Sequence, residues 1–317
     1  MAKYRSRLPQ LGDKLFLTDA GIETTLIFHE GFDLPYFAAF DLLNTGQGRE
    51  ALQRYFRQHA GIAVRNGAGF ILESATWRAS PDWGLKLGYT PERLAEINRQ
   101  AVRMLIDLRR EMETPASPMV VSGCVGPRGD GYDPKAVMTA EEAEAYHAFQ
   151  IGIFADANAD QVTAITMTNV GEAVGVTRAA QAAGMPVAIS FTLETDGRLP
   201  TGQSLKDAVE QVDAATGGAP VYYMINCAHP SHFQDVLEAA AWMRRVRGLR
   251  ANASKRSHAE LDSAPDLDDG DPVELGADYA RLRSDFPWIN VLGGCCGTDH
   301  RHIERICGAC VEEARVA

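Results

Sequence analysis

The chain has 317 residues, enough to bury a substantial core, and its 45% hydrophobic and 23% charged residues are ordinary for a soluble globular protein. Its net charge of −11 argues against nucleic acid or an anionic membrane as partner, because both require clustered Lys and Arg. No apolar run approaches the roughly 20 residues needed to cross a bilayer, and the opening MAKYRSRLPQLGDK lacks the apolar core expected of a signal peptide.

Residues 15–18 (LFLT) read as a first short strand ending at Asp19. Residues 46–68 carry apolar side chains at helical spacing and end at Asn66-Gly67, a helix stop. Residues 70–72 are expected as strand two, running into ESATWRAS. A helix over 91–112 has Pro at its first position and Leu94, Ile97, Ala101, Met104, Leu105 and Leu108 on one face. Residues 119–121 form the third expected strand, followed by the loop GCVGPRGDGYDP, and Thr139-Ala-Glu-Glu fits a capping box for a helix to about Asn158.

Strand four is expected at 162–167, with a helix from Glu172 to Gly184, and strand five at 186–191. The loop TLETDGRLPTGQ then leads to a helix from Ser204, and strand six follows at 221–225. A helix after Ser231 is expected to reach about Val246. Residues 249–251 are the weakest strand, and a polar loop over 252–271 separates them from a helix at 272–286. Strand eight is expected at 289–292, and a helix from about Asp299 closes the chain. Eight strands alternating with helices, without a composition break, predict a parallel α/β fold closed as a (β/α)8 TIM barrel, a single domain over 1–317. An open seven-stranded sheet is the alternative should strand seven fail.

A parallel barrel builds its site from the turns after its strands. Cys227 follows strand six, while Cys295 and Cys296 follow strand eight in VLGGCCGTDHRHIERI. Gly293 and Gly294 are read there as letting the turn bend and approach a ligand. The separation of 68 residues excludes a zinc-finger loop, yet strands six and eight are near neighbours around a barrel. Three thiolates converging at one rim suit Zn²⁺, with the fourth position open as in a catalytic centre. A vicinal Cys295–Cys296 disulfide is the competing reading. Clustered cysteines in a chain expected to lack a leader point to the reducing cytoplasm.

Asp19 reads either as a turn residue or as a rim carboxylate for a ligand's ammonium group. Cys124 reads as a small buried hydrophobe, and Cys307 with Cys310 as helix residues rather than a metal or redox pair. His300 and His302 are expected at the surface, and His229 is expected to support the cysteines. The loops GPRGDGYDP and TDGRLPTGQ are placed to close over a substrate, and no dinucleotide fingerprint is present.

The strings GGCCGTDHRHI and INCAHP resemble the two cysteine motifs of the zinc-dependent homocysteine S-methyltransferases, the family of the betaine– and S-methylmethionine–homocysteine methyltransferases. LTDAGIET, SGCVGPRGDGY and AISFTLETDGRLPTGQSL carry the resemblance along nearly the whole chain. It implies a barrel whose zinc is held by Cys227, Cys295 and Cys296, with homocysteine sulfur at the open position. Asp19, Gly21 and Ser74 would bind the substrate, Asp19 through its amino group. The implied reaction moves a methyl group to homocysteine, forming methionine, from S-methylmethionine or S-adenosylmethionine rather than betaine. Two alternatives stay open: a methyltransferase served by a separate corrinoid protein, and a zinc-containing barrel that acts on or binds another thiol. The chain departs from the family's pattern in two places. AITMTNVGEA has no acidic residue before Glu172, where relatives place a glutamate for the amino group, and Arg78 stands where a tyrosine is expected. The acidic charge is compatible with a monomer or a homo-oligomer.

Overall fold

The computed structural model describes residues 1–132, 137–262, 264 and 266–316. Among them, eight parallel strands close into a barrel in chain order. They are β1 (Phe16–Leu17), β2 (Gly69–Glu73), β3 (Met119–Val125), β4 (Gln161–Met167), β5 (Val187–Thr192), β6 (Tyr222–Asn226), β7 (Val246–Ala251) and β8 (Val291–Gly294). Closure falls on β1, whose Phe16 lies opposite Gly69 of β2 on one side and Val291 of β8 on the other.

The connecting helices start and stop where local chemistry directs them. In α1 (Gly46–Asn66) the Thr45 hydroxyl accepts from the Gly48 amide, and Gly67 ends the helix at φ 65°. Thr90 caps α2 (Pro91–Met112), which has Pro in its first turn. Thr139 and Glu142 form a reciprocal capping box on α3 (Ala140–Asp156). Asn169, Ser204 and Asp271 cap α4 (Val170–Ala182), α5 (Leu205–Thr216) and α6 (Pro272–Asp285), and α7 (His300–Val316) closes the described chain.

Two apolar layers result. Phe56, Leu105, Phe154 and Val176 belong to the shell between strands and helices, while Phe16, Ile71, Val120, Tyr222, Met224 and Val291 fill the barrel. Gly69 is required because a Cβ there would run into the Phe16 ring. A polar layer also lies inside the barrel. Thr163 Oγ1 donates to Glu73 Oε1 at 2.7 Å and Ser122 Oγ lies 2.8 Å from Thr163 Oγ1. Burial pushes the Glu73 carboxyl up to about 7.

Three expectations need correction. The weak strand seven forms and begins at Val246, so the helix expected from Ser231 to Val246 cannot run through. It breaks into a turn of α-helix at Pro230–Phe233 and 3-10 turns at Gln234–Val236 and Trp242–Arg245. Burial of Phe233, Trp242, Met243 and Val246 overrides the helical propensity of the intervening alanines. Strand eight lies two residues later than expected, and Gly293 and Gly294 are its last residues. A Cβ on Gly293 would strike Thr18 Oγ1, and one on Gly294 would strike Thr298 Oγ1. On the side where a Cβ would project, these glycines therefore admit other parts of the chain. The polar loop over 252–271 contains a short helix, His258–Asp262, which its composition did not announce, and Ser263 and Pro265 within it lie outside the described residues.

Candidate metal and substrate site

Cys227 directly follows β6, and Cys295 and Cys296 directly follow β8, all at the carboxyl end of the barrel. Their sulfurs lie within 4.8 Å of one another, with Cys227 buried, Cys295 half-buried and Cys296 exposed. Cys227 and Cys296 are 4.0 Å apart at sulfur. A tetrahedral centre with metal–sulfur bonds of ~2.3 Å holds its sulfurs roughly 3.8 Å apart, so the donor set fits a soft metal. The disulfide is Cys227–Cys295, with Cα atoms 5.4 Å apart, rather than the vicinal pair. Metal binding needs both sulfurs as thiolates, so the disulfide and the loaded site exclude each other.

The cysteine turns are held by residues not assigned a role from sequence, although Asn226 lies in INCAHP and Tyr132 in SGCVGPRGDGY. Asn226, the fully buried last residue of β6, accepts from Ser190 Oγ at 2.6 Å and from the Thr166 amide at 3.0 Å. Its amide group donates to Thr166 Oγ1 at 2.9 Å and faces Cys295 Sγ at 3.9 Å. Thr166 and Cys227 both adopt left-handed backbone, φ 67° and 53°, which costs of order 1–3 kcal/mol per residue. The pairing of β4 with β5 shifts register between Ala164 and Met167, around Thr166, and Asn226 bonds both backbone and side chain of that residue. Asn252 and His258 donate to the Cys227 carbonyl, and the Tyr132 hydroxyl lies 3.6 Å from Cys296 Sγ. Burial pushes the Tyr132 hydroxyl well above its usual value, with Cys296 adding to the effect.

Asp19 lies just past β1, 3% exposed, and forms an ion pair at 2.9 Å with Arg250 of β7. The Tyr55 hydroxyl donates to the Ala20 carbonyl at 2.9 Å and lies 3.1 Å from Asp19 Oδ2. Burial opposes the Arg250 charge, but Asp19 and Glu73 outweigh it and raise the guanidinium pKa. Gly21 lies against the cysteine turn: its amide donates to the Thr298 carbonyl at 3.2 Å, and a Cβ would come within 2.5 Å of the Cys295 carbonyl. Ser74 is buried, with its hydroxyl 2.6 Å from Thr76 Oγ1 and accepting from the Cys124 amide at 3.0 Å. Glu23 is half-buried beside these groups, and burial raises its carboxyl to about 7, with Asp19 pushing the same way.

Cys124 is buried, and burial raises its thiol well above the usual value; Cys307 and Cys310 are buried in α7. His229 caps the turn after β6 by accepting from the Ser231 amide at 3.2 Å, and burial lowers its pKa to about 4. His302 is not at the surface as expected. It is fully buried, 2.8 Å from the Asp269 carbonyl and 3.2 Å from Asp299 Oδ1. The loop TDGRLPTGQ folds back on itself and reaches the turn after β4 through Thr201 Oγ1, 3.2 Å from the Thr168 carbonyl. The end of GPRGDGYDP, at Asp133 and Pro134, lies outside the described residues.

Fold and site together define a (β/α)8 barrel protein with three convergent cysteines at its carboxyl mouth. The model of the homocysteine S-methyltransferase family matches residues 16–310, and the chain belongs to that family of transferases. Its fold is similar to that of the Escherichia coli homocysteine methyltransferase MmuM. The oxidized form matches at TM-score 0.73 and 20% identity, covering 98% of this chain and 98% of that chain. The metallated form matches at TM-score 0.69 and 20% identity, covering 94% of this chain and 96% of that chain.

Proposed function

We propose that this chain, one barrel domain over residues 1–317, is a zinc-dependent homocysteine S-methyltransferase using a sulfonium donor. S-methylmethionine and S-adenosylmethionine fit better than betaine, and the product is methionine. The observation that carries the reading is the three-sulfur cluster at the barrel mouth of a member of this family. Cys227, Cys295 and Cys296 would hold the metal, which when bound keeps a coordinating thiol deprotonated although a free thiol has a pKa of ~8.5.

The remaining work is positioning. Asn226 and Tyr132 point donors at Cys295 and Cys296 and orient the sulfurs. The Gly21–Thr298 hydrogen bond ties the turn after β1 to the cysteine turn, so Asp19 and the sulfurs keep a constant spacing. Asp19 offers negative charge for a substrate ammonium, and Glu23, raised to about 7, adds to it when ionised, in a barrel whose stretch after β4 has no carboxylate before Glu172. Ser74 shapes the wall after β2. Transfer needs no general acid: the acceptor sulfur bonds to the methyl carbon as the donor's carbon–sulfur bond breaks, and the leaving sulfur keeps that electron pair as a neutral thioether.

Betaine is disfavoured because Trp77 and Trp83, aromatic faces suited to a trimethylammonium group, already enclose Arg78. A cytoplasmic setting, which keeps the thiols reduced, suits the chemistry. Among the described residues, no helix is long and apolar enough to cross a membrane.

The test is metal analysis of protein purified under reducing conditions, with X-ray absorption at the zinc edge during homocysteine titration. The expected result is one zinc per chain and a sulfur shell that grows from three to four. Zinc without a change in shell would remove homocysteine as acceptor. Cys227→Ala, Cys295→Ala and Cys296→Ala should each lose metal and activity while the fold persists, and full activity in any one of them would refute the site.

A further inference from the structure

Arg78 is a buried cation packed against two indole rings, with one nitrogen of its edge left without a partner. It is 5% exposed and lies beyond the carboxyl end of β2. Its guanidinium carbon is 4.0 Å from the Trp77 ring centroid and 3.9 Å from that of Trp83. Two indoles pack against the guanidinium, whose N–H groups lie in its own plane and point outward from its edge. Nη1 donates to the Gly129 carbonyl at 2.9 Å, and the buried Nε has no hydrogen-bond partner. Among the described residues, Arg78 forms no ion pair; Asp130, Tyr132 and Glu23 act on it only through longer-range attraction.

The platform is packed tightly in place. Trp77 Nε1 donates to the Ile165 carbonyl at 3.2 Å, and a Cβ on Gly126 would come within 2.6 Å of the same indole. The loop that accepts from Arg78 at Gly129 also carries Tyr132, whose hydroxyl faces Cys296 Sγ at 3.6 Å. Arg78 and the thiol cluster therefore lie on one mouth, joined by one loop.

We propose that Arg78 is a carboxylate anchor, its edge receiving the carboxylate of an amino-acid substrate while the sulfur cluster receives the reacting end. A buried charge without a counterion is costly, and a guanidinium fork matches a carboxylate in two parallel hydrogen bonds. Burial lowers the Arg78 pKa to about 10, as expected of a charge lacking a close counterion, and a bound carboxylate would reverse that. The inference rests on the methyltransferase reading. A carboxylate is present on the thiol acceptor and on a methionine-derived donor, so the two sources have to be separated.

The experiment is calorimetric binding to reduced, metal-loaded wild-type protein and Arg78→Met. Two ligand pairs are used: L-homocysteine against 3-aminopropane-1-thiol, and L-S-methylmethionine against (3-aminopropyl)dimethylsulfonium. The second member of each pair lacks only the carboxylate. Wild-type protein should prefer the carboxylate-bearing member of one pair by roughly 10- to 100-fold, the range for a charged hydrogen bond. Arg78→Met should erase that preference without changing affinity for the decarboxylated ligand, and the pair affected identifies the source. Arg78→Lys, which keeps the charge without the fork, should retain part of the preference and serves if the methionine variant does not fold. A preference that survives unchanged in either variant, or its absence from wild-type protein, overturns the proposal. Failure of wild-type protein to bind either thiol would defeat the methyltransferase reading and this inference with it, whereas thiol binding without a carboxylate preference would defeat the inference alone.

Discussion

Replacing Arg250 with methionine should be among the most damaging single changes in the barrel. The side chains of Arg250 and Asp19 are 8% and 4% exposed and paired at 2.9 Å. Methionine keeps much of the length of arginine but leaves the Asp19 carboxylate buried without its counterion. It also leaves the Gly294 and Ala20 carbonyls, which accept from Arg250 at 3.1 and 3.2 Å, without those donors. Removing one partner of a buried pair costs about 3–5 kcal/mol, because the survivor cannot recover its hydration. Asp19→Asn should cost less, about 1–3 kcal/mol, since Arg250 keeps both carbonyls and the nearby Glu73. Urea denaturation of the metal-free, reduced protein followed by circular dichroism, on both single variants and the double, gives the coupling directly. The double variant should be less destabilised than the sum of the two, by about 0.5–3 kcal/mol. A loss below about 1 kcal/mol for Arg250→Met, or strict additivity, would show that the ion pair does not hold β7 to the turn after β1.

Two further changes probe the barrel itself. Gly293→Ala should destabilise by about 1–3 kcal/mol through its clash with Thr18 Oγ1, and Thr18→Ala in the same chain should restore part of the loss; equal melting of wild type and Gly293→Ala would refute the close approach. Glu73, with its pKa raised from 4.5 to about 7, binds more protons folded than unfolded, so its contribution is full below pH 4.5 and is lost as pH rises from there through about 7. Glu73→Gln removes that slope and should gain about 3 kcal/mol over wild type between pH 4.5 and 8, measured by denaturant titration at each pH, and parallel stability curves would refute it.

Local signals in the sequence were read correctly because their physics is local. Pro91, the Thr139–Glu142 box and Gly67 act within a few residues of themselves, and the structure bounds α1, α2 and α3 with them. The broken helix after Ser231 shows the opposite case. A run such as LEAAAWM has helical propensity, but worth only tenths of a kcal/mol per residue, whereas burying Trp242 and Met243 is worth kilocalories. The buried position of His302 was missed for a similar reason: a polar residue early in a terminal helix looks solvated until the Asp269 carbonyl is found against it.

The sequence by itself determined the alternation of strands and helices, the family, and which three cysteines could converge, since two of them are adjacent and all three follow strand ends. Only the tertiary structure decided what surrounds them. Asn226 meets Cys295 across 69 positions of chain, Arg250 reaches the Ala20 carbonyl across 230, and Tyr132 approaches Cys296 across 164. Nothing in the neighbourhood of those residues encodes such contacts. They follow from closing the barrel, which brings β1 against β8 and places the ends of all its strands on one rim. Once closed, the barrel excludes water from Asp19, Arg250 and Arg78, and each buried charge has to be met by a partner in the protein or by a ligand.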